Sequence, residues 1–373
     1  MAQPGPQLTS AQQRALASVS AAATAQREQA QRTIDEIRKM SAIEPQQYAA
    51  FKTAIAKHAQ VALHFHPDRM ASAEGNVAEA LLKQGLYRSQ FETGISAGSV
   101  SACAGGARAL WEQRLFAGAY DQATPSERPK YGALDLLRHP DGPSPRFGCC
   151  FFLLAPAVSQ RCTYSYGDSY YGPSITGTFG AFDSILSALL RESFLDDRAL
   201  GATNLRPPEL IARLARELPL ARHELPVRPQ ARSLDHYIEA QVHGEVALAL
   251  ARDVEMLVAD PAFQGTAVGA TLETLARRYR IALTWHAGFS LEVAAVPTDF
   301  RGDRMPALAA RVAGDRRRFD AHAIGQAAVE LKRDPGRWAD LGSEAEVLQQ
   351  LKLLWHVLLR FGDVENASSP RLD

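Results

Sequence analysis

Val61-Ala62-Leu63-His64-Phe65-His66-Pro67-Asp68-Arg69 is the stretch at which the character of this chain changes. Its first five residues read as a strand, and Pro67, which has no N–H to give to a ladder, ends it. Alternation on a strand puts His64 and His66 on one face and Phe65 on the other. Upstream, residues 9–60 are rich in Ala, Gln, Glu, Arg and Lys, which favour helix. Ser10 suits an N-cap, the pattern breaks near Ser41, and Pro45 fits the first turn of a second helix that runs to about Ala59. Downstream, short apolar runs alternate with glycine turns. Strands are expected at residues 147–155, 161–166, 237–246 and 281–285, and helices at 76–84 (closed by Gly85), 182–194, 208–217 and 267–279. Residues 218–233 are rich in Pro and Arg and read as a surface connection. Ser343 and Glu346 form a capping box ahead of an apolar stripe that Gly362 closes. The expected class is α+β, with a helical region at 1–60, a β-rich core at 61–300 and a second helical region at 301–373.

Composition narrows the function classes. Of 373 residues, 41 are basic and 41 acidic, so no net field draws the chain toward nucleic acid or an anionic membrane. Neither partner is expected. The four cysteines form no CxxC pair, and Cys149-Cys150 reads as buried strand rather than as a disulfide staple. The longest apolar runs are too short to span a bilayer as helix. The first twenty residues lack a basic start followed by an apolar stretch, so the expectation is a soluble, cytoplasmic protein without a secretory signal, with export by a signal-independent route left open.

Three polar constellations stand out. In the first, a His pair at a strand end followed by Asp68 and Arg69 packs poorly, which suits a ligand site. It reads as a metal site through two same-face histidines, as a dinucleotide site, or as a surface turn held by a His-Asp-Arg network. The second gathers Tyr164, Tyr166, Tyr170 and Tyr171 around Gly167-Asp168-Ser169. Their rings either stack on a base or pack core edges, with Lys130 and Arg146 available to pyrophosphate. Asp168 and Ser169, just past a glycine at a strand end, are its best polar candidates. The third is Tyr237-Ile238-Glu239-Ala240-Gln241-Val242-His243, whose alternation sets Tyr237, Glu239, Gln241 and His243 on one face and apolar residues on the other. That is either a cleft floor or a half-exposed strand showing its polar side to water.

The order from residue 61 onward is a strand with a polar residue, a helix ending at Gly85, and then a strand from Tyr87 through Arg88, Thr93 and Gly94 to Ser96. This order resembles the opening of the ADP-ribosyltransferase superfamily, which includes PARP-like enzymes and bacterial toxins. The segments HFHPDR (64–69), YRSQFETG (87–94) and RPKYGAL (128–134) are similar to those of an uncharacterised bacterial family, a divergent branch of that superfamily, over roughly residues 60–290. The resemblance implies a split β-sheet core and NAD as substrate. His64, His66 or Arg69 would hold NAD, with Arg88 as a rival. Thr93, Ser96 and Tyr87 would line the nicotinamide pocket, and Gly94, Asp168, Ser169 and Gln241 are further candidates for holding the cofactor, with Gln241 in the catalytic place if the strand is read one step later. Glu239, on a late strand, takes the catalytic place, where a carboxylate stabilises positive charge developing on the ribose. Many arginine-modifying members carry Glu or Gln two residues earlier, where this chain has Tyr237.

The expected activity is therefore mono-ADP-ribosyl transfer from NAD to a protein acceptor, or NAD glycohydrolysis, with no metal. Two alternatives remain open at this point. One is a metal-dependent hydrolase using His64, His66 and one of His236, His243 or His286. The other is an inactive interaction protein that uses the stripe after Ser343 to bind a partner.

Overall fold

The computed structural model describes residues 6–72, 75–94, 102–103, 105–172, 174–230, 232–248 and 252–364. Its centre is a mixed sheet of eight strands: β1 (Val61–Phe65), β2 (Lys130–Leu134), β3 (Cys150–Leu154), β4 (Cys162–Tyr166), β5 (Thr176–Thr178), β6 (Ile238–Val242), β7 (Val254–Ala259) and β8 (Ala282–Trp285). Their order across the sheet is β8-β7-β3-β1-β2-β6-β4-β5. Every neighbouring pair is antiparallel except β7 and β8. The α+β expectation holds at this level.

The join between β1 and β2 matters most for function. These strands share only the pairs Val61↔Leu134 and Ala62↔Ala133, whereas β1 pairs with β3 over Ala62 to Phe65 and β2 with β6 over Lys130 to Ala133. Beyond Ala62 the two strands part, and a cleft opens between them. Gly132 permits their close approach, because a Cβ there would stand 2.3 Å from the Ala62 carbonyl oxygen.

Helices cover both sides of the sheet: α1 (Ser10–Ala25), α2 (Arg27–Met40), α3 (Pro45–His58), α4 (Val77–Gln84), α5 (Gln90–Thr93), α6 (Ala107–Leu115), α7 (Asp183–Asp196), α8 (Pro207–Glu217), α9 (Ala267–Tyr279), α10 (Met305–Ala313), α11 (Ala321–Arg333) and α12 (Glu344–Phe361). The region before β1 is three helices where two were expected. The break between α1 and α2 at Gln26 is a slight one that retains right-handed backbone, with no Gly or Pro to announce it. Ile238, Ala240 and Val242 of β6 join the main core with Leu189, Leu210 and Leu214. In α12, the buried Val347, Leu351, Leu354, Trp355 and Leu358 pack on the protein itself. Among the described residues no helix is long and apolar enough to cross a membrane.

Two expected strands differ in the structure. The strand from Tyr87 to Ser96 is a two-residue strand, Leu86–Tyr87, paired with Val246–Ala247 and followed by α5. Ser89 caps that helical turn and Glu92 closes the capping box, a local signal that outweighs the strand reading. The strand expected over 237–246 ends at Val242, because Gly244 has φ 79° and turns the chain away.

Candidate functional site

The cleft between β1 and β2 has two adjoining lobes. The larger, about 380 Å³, lies within the roughly 300–1,000 Å³ usual for small-molecule sites. It is lined by His64, His66, Arg69, Tyr87, Arg88 and Thr93, all candidates from the sequence, together with Lys130 and Tyr131. The smaller, about 180 Å³, is lined by Asp168 and Glu239, with Arg108, Trp111, Tyr170 and Lys352 around them. His64, Tyr87, Gln90, Tyr131 and Phe147 line both lobes.

Register places the two halves of the site on one face. Glu239 is opposite Ala133, which is opposite Ala62, and His64 lies two residues along from Ala62. His64 and Glu239 therefore point to the same side of the sheet, two strands apart. Glu239 is 5% exposed and is held at both oxygens. Ser169 donates its hydroxyl to Oε1 and its backbone N–H to Oε2 at 3.4 Å, and Gln241 Nε2 donates to Oε1 at 2.8 Å. Ser169 also accepts from Trp111 Nε1 at 3.0 Å. Gln241 is fixed in turn, because Thr163 donates to its Oε1 at 2.7 Å. Burial, and then the neighbouring Asp168 charge, push the Glu239 carboxyl up to about 7, against the pull of these donors. The group consequently titrates near neutrality. Asp168 caps the turn at 169–171 by accepting from the Tyr170 N–H at 3.0 Å.

The HFHPDR segment divides differently from what its sequence suggests. His64 has both ring nitrogens occupied by backbone. Nδ1 lies 2.9 Å from the Gly148 carbonyl, and the Ser144 N–H donates to Nε2 at 3.4 Å. That pattern requires the neutral Nδ1–H tautomer, and burial lowers its pKa to about 3. Phe151 lies tilted against the ring with centroids 4.8 Å apart, and at Gly142 (φ 80°) a Cβ would meet Nε2 at 2.6 Å. His66 is half-buried, with Nδ1 3.5 Å from the Cys149 thiol and its ring edge-on to Trp355. Burial holds the Cys149 thiol protonated and His66 neutral. Arg69 reaches the larger lobe and a small neighbouring cavity against α11 and α12.

Several candidates have structural duties. Arg88 donates to Gln84 at 2.6 Å and Glu92 at 2.9 Å, tying α4 to α5 at the rim. Tyr87 donates to the His64 carbonyl at 3.2 Å. Thr93 donates to the Ser89 carbonyl at 3.2 Å, and Gly94 is the left-handed cap of α5. Ser96 lies outside the described residues. Lys130 donates to the carbonyls of Ser126 and Gly244, and Arg146 to Asp235 and the Leu234 carbonyl. The later histidines once considered as metal ligands are engaged elsewhere: His236 beside Glu192, His243 with Tyr120 and Thr163, and His286 with the Cys149 carbonyl. Among the described residues no group of three His, Cys, Asp or Glu is arranged to hold a metal ion.

Sequence reasoning missed Gln90, Arg108, Trp111 and Lys352. Three come from helices that look unremarkable, and only tertiary packing turns them toward the cleft. In α12 the apolar stripe was visible, and Lys352 sits one residue after Leu351 of that stripe, at its edge facing the site.

No curated protein matches this chain. Residues 60–361 match the family described as "Protein of unknown function (DUF3626)", a match that spans every strand of the central sheet and the helices α4 to α12, and the chain belongs to that family.

Proposed function

We propose that this protein cleaves NAD at the bond between nicotinamide and ribose and transfers ADP-ribose to a protein acceptor, with water as an alternative acceptor. The observation that carries the reading is Glu239: a buried carboxylate held at both oxygens, in the cleft that His64 and Tyr87 also line. Two further features support it. The cleft opens where β1 and β2 separate after two residue pairs, as a split-sheet core would require. Aromatic side chains of Tyr87, Trp111, Tyr131 and Tyr170 wall it, and flat rings suit a nicotinamide or adenine.

In the reaction, the glycosidic C–N bond breaks and its electron pair leaves with nicotinamide, which becomes neutral. Positive charge develops on the ribose. Ionised Glu239 stabilises that charge and accepts a hydrogen bond from a ribose hydroxyl. The acceptor then bonds to the anomeric carbon and releases its proton to solvent. Ser169 and Gln241 fix the carboxylate in place, so little reorganisation is needed when charge appears. Because Glu239 titrates near 7, turnover should rise with pH across neutrality.

The test is incubation with NAD labelled in its adenylate half, with and without a cell lysate, using wild type and Glu239→Gln. Label on protein gives a transferase, and nicotinamide release alone gives a glycohydrolase. Absence of both, or equal turnover in the variant, overturns the reading.

A further inference from the structure

Two arginines that both act on the Glu112 carboxyl meet opposite fates. Arg128 is buried, and its guanidinium pairs with Glu112 at 2.6 Å and donates to the Tyr120 carbonyl at 3.1 Å. The other buried arginines Arg161 and Arg213 are also matched, with Asp253 and Glu217, and so is the half-buried Arg222, with Asp135. Arg108 is 4% exposed and has no hydrogen-bond or ion-pair partner among the described residues. What holds it is stacking: its guanidinium lies 4.5 Å from the Trp111 ring and 5.2 Å from that of Tyr131. Glu112, whose carboxylate feels the Arg108 charge, is already committed to Arg128 and to the Tyr131 hydroxyl at 2.9 Å.

An unpaired buried charge is expensive, and a guanidinium stripped of water wants an oxyanion. Arg108 faces open space, because it lines the smaller lobe of the cleft. Its position in the first turn of α6 adds the positive end of a helix to the same side. Lys352, which lines the same lobe from α12, also has no hydrogen-bond or ion-pair partner among the described residues. The lobe therefore holds two cations that make no hydrogen bond or ion pair among the described residues, beside aromatic walls and in the same lobe as the Asp168 and Glu239 carboxyls.

We infer that Arg108, presented on the faces of Trp111 and Tyr131 with Lys352 across the lobe, forms a subsite for the diphosphate of a dinucleotide. Stacking fixes the guanidinium plane and leaves its N–H edge free to make paired hydrogen bonds with phosphate oxygens. The aromatic faces screen that edge from water, which strengthens the contact. Lys352 supplies a second point charge. Trp111 also donates to Ser169, the residue that holds Glu239, so the anion subsite and the carboxylate are joined through one indole. A diphosphate anchored here would set the position of the attached ribose relative to Glu239. This last step rests on the NAD reading, whereas the anion subsite does not.

The experiment is calorimetry on the full chain with inorganic pyrophosphate and with ADP-ribose, comparing wild type, Arg108→Gln and Arg108→Lys. Loss of a charge-assisted pair of bonds should weaken both ligands at least about tenfold in Arg108→Gln, with partial recovery in Arg108→Lys. Pyrophosphate binding that is absent in wild type, or equal in wild type and Arg108→Gln, overturns the inference. If Arg108→Gln does not fold, the indole decides. Pyrophosphate must change the tryptophan emission of wild type and leave that of Trp111→Phe unaltered, and no change in wild type counts against the subsite. The two readings fail separately. Arg108-dependent pyrophosphate binding without NAD cleavage keeps the subsite and removes the transferase. NAD cleavage with Arg108-independent pyrophosphate binding does the reverse.

Discussion

His64 and Glu239 lie on the same face of the same sheet, two strands apart, and both are buried. The protein surrounds them in opposite ways. Every polar atom of the His64 ring is bonded to backbone, a phenylalanine lies tilted against it and a glycine presses against its edge. Glu239 is also bonded at both oxygens, by Ser169 and Gln241, and its carboxylate lines the cleft beside Asp168. Burial drives His64 to a fixed neutral state and brings Glu239 to the edge of ionisation at neutral pH. A buried imidazole with both ring nitrogens bonded is a structural pin. A carboxylate with acceptor capacity left over beside a cavity is placed for chemistry.

The largest effect that could break this contrast belongs to Glu239. Glu239→Gln should lower NAD cleavage roughly 10²–10³-fold, the usual cost of removing one preorganised charge-stabilising group. Turnover within a few-fold of wild type would put Glu239 in the same class as His64. The same variant has a signature that does not depend on activity. The folded-state pKa is raised from 4.5 to about 7, so the native protein keeps a proton that the unfolded chain has released. Wild-type stability contributed by this group is present below pH 4.5 and is lost as pH rises through 7. The full loss is on the order of 3 kcal/mol. Glu239→Gln lacks that titration. Its stability relative to wild type should improve between pH 5 and pH 8, measured by urea unfolding at both values, and a pH-independent difference would show that the carboxyl is not destabilised by burial.

His64 comes next. His64→Ala removes two buried hydrogen bonds and a ring contact and leaves the Gly148 carbonyl without its donor. The expected cost is about 2–4 kcal/mol of unfolding free energy. Because the ring joins β1 to residues 142–148, loss should also speed hydrogen exchange at the Ser144 amide. A cost below about 1 kcal/mol, with unchanged exchange, would mean that the ring is not the pin described here and is free to serve a ligand.

The sequence makes the polar face of β6 legible because strand alternation is a strong local signal: it sets Glu239, Gln241 and His243 on one face. The same rule put His64 and His66 on one face, but periodicity cannot say what occupies the space above a face. The partners of His64 come from residues 144–148, about 80 positions away, and no local pattern announces them. The strand expected through Thr93 was lost to a signal that was present, the Ser89–Glu92 capping box. Arg108 and Lys352 were out of reach for a different reason. A charged residue on a helix is ordinarily solvated, and only the absence of a partner after packing marks these two.

Ser169 gives the smallest and sharpest test, because it acts on Glu239 without being the charge itself. Its hydroxyl donates to Oε1, which favours the ionised carboxylate, and its backbone N–H, which a substitution keeps, donates to Oε2. A hydrogen bond to a charged group contributes about 1.5 kcal/mol, which corresponds to roughly one pH unit. Ser169→Ala should therefore raise the Glu239 pKa from about 7 to near 8 and carry the acidic limb of the pH–rate profile with it. At pH 7 the ionised fraction falls, and turnover with it, about fivefold, whereas at pH 9 the two proteins should nearly coincide. Ser169→Thr, which keeps the hydroxyl, should restore the wild-type profile. A merely structural serine would lower turnover equally at every pH and leave the limb where it was. Carboxyl NMR titration of Glu239 reads the same shift whether or not NAD is the substrate. An unmoved pKa there would mean that burial and Asp168 alone set the ionisation of the cleft floor, and that the Ser169–Trp111 link transmits nothing to it.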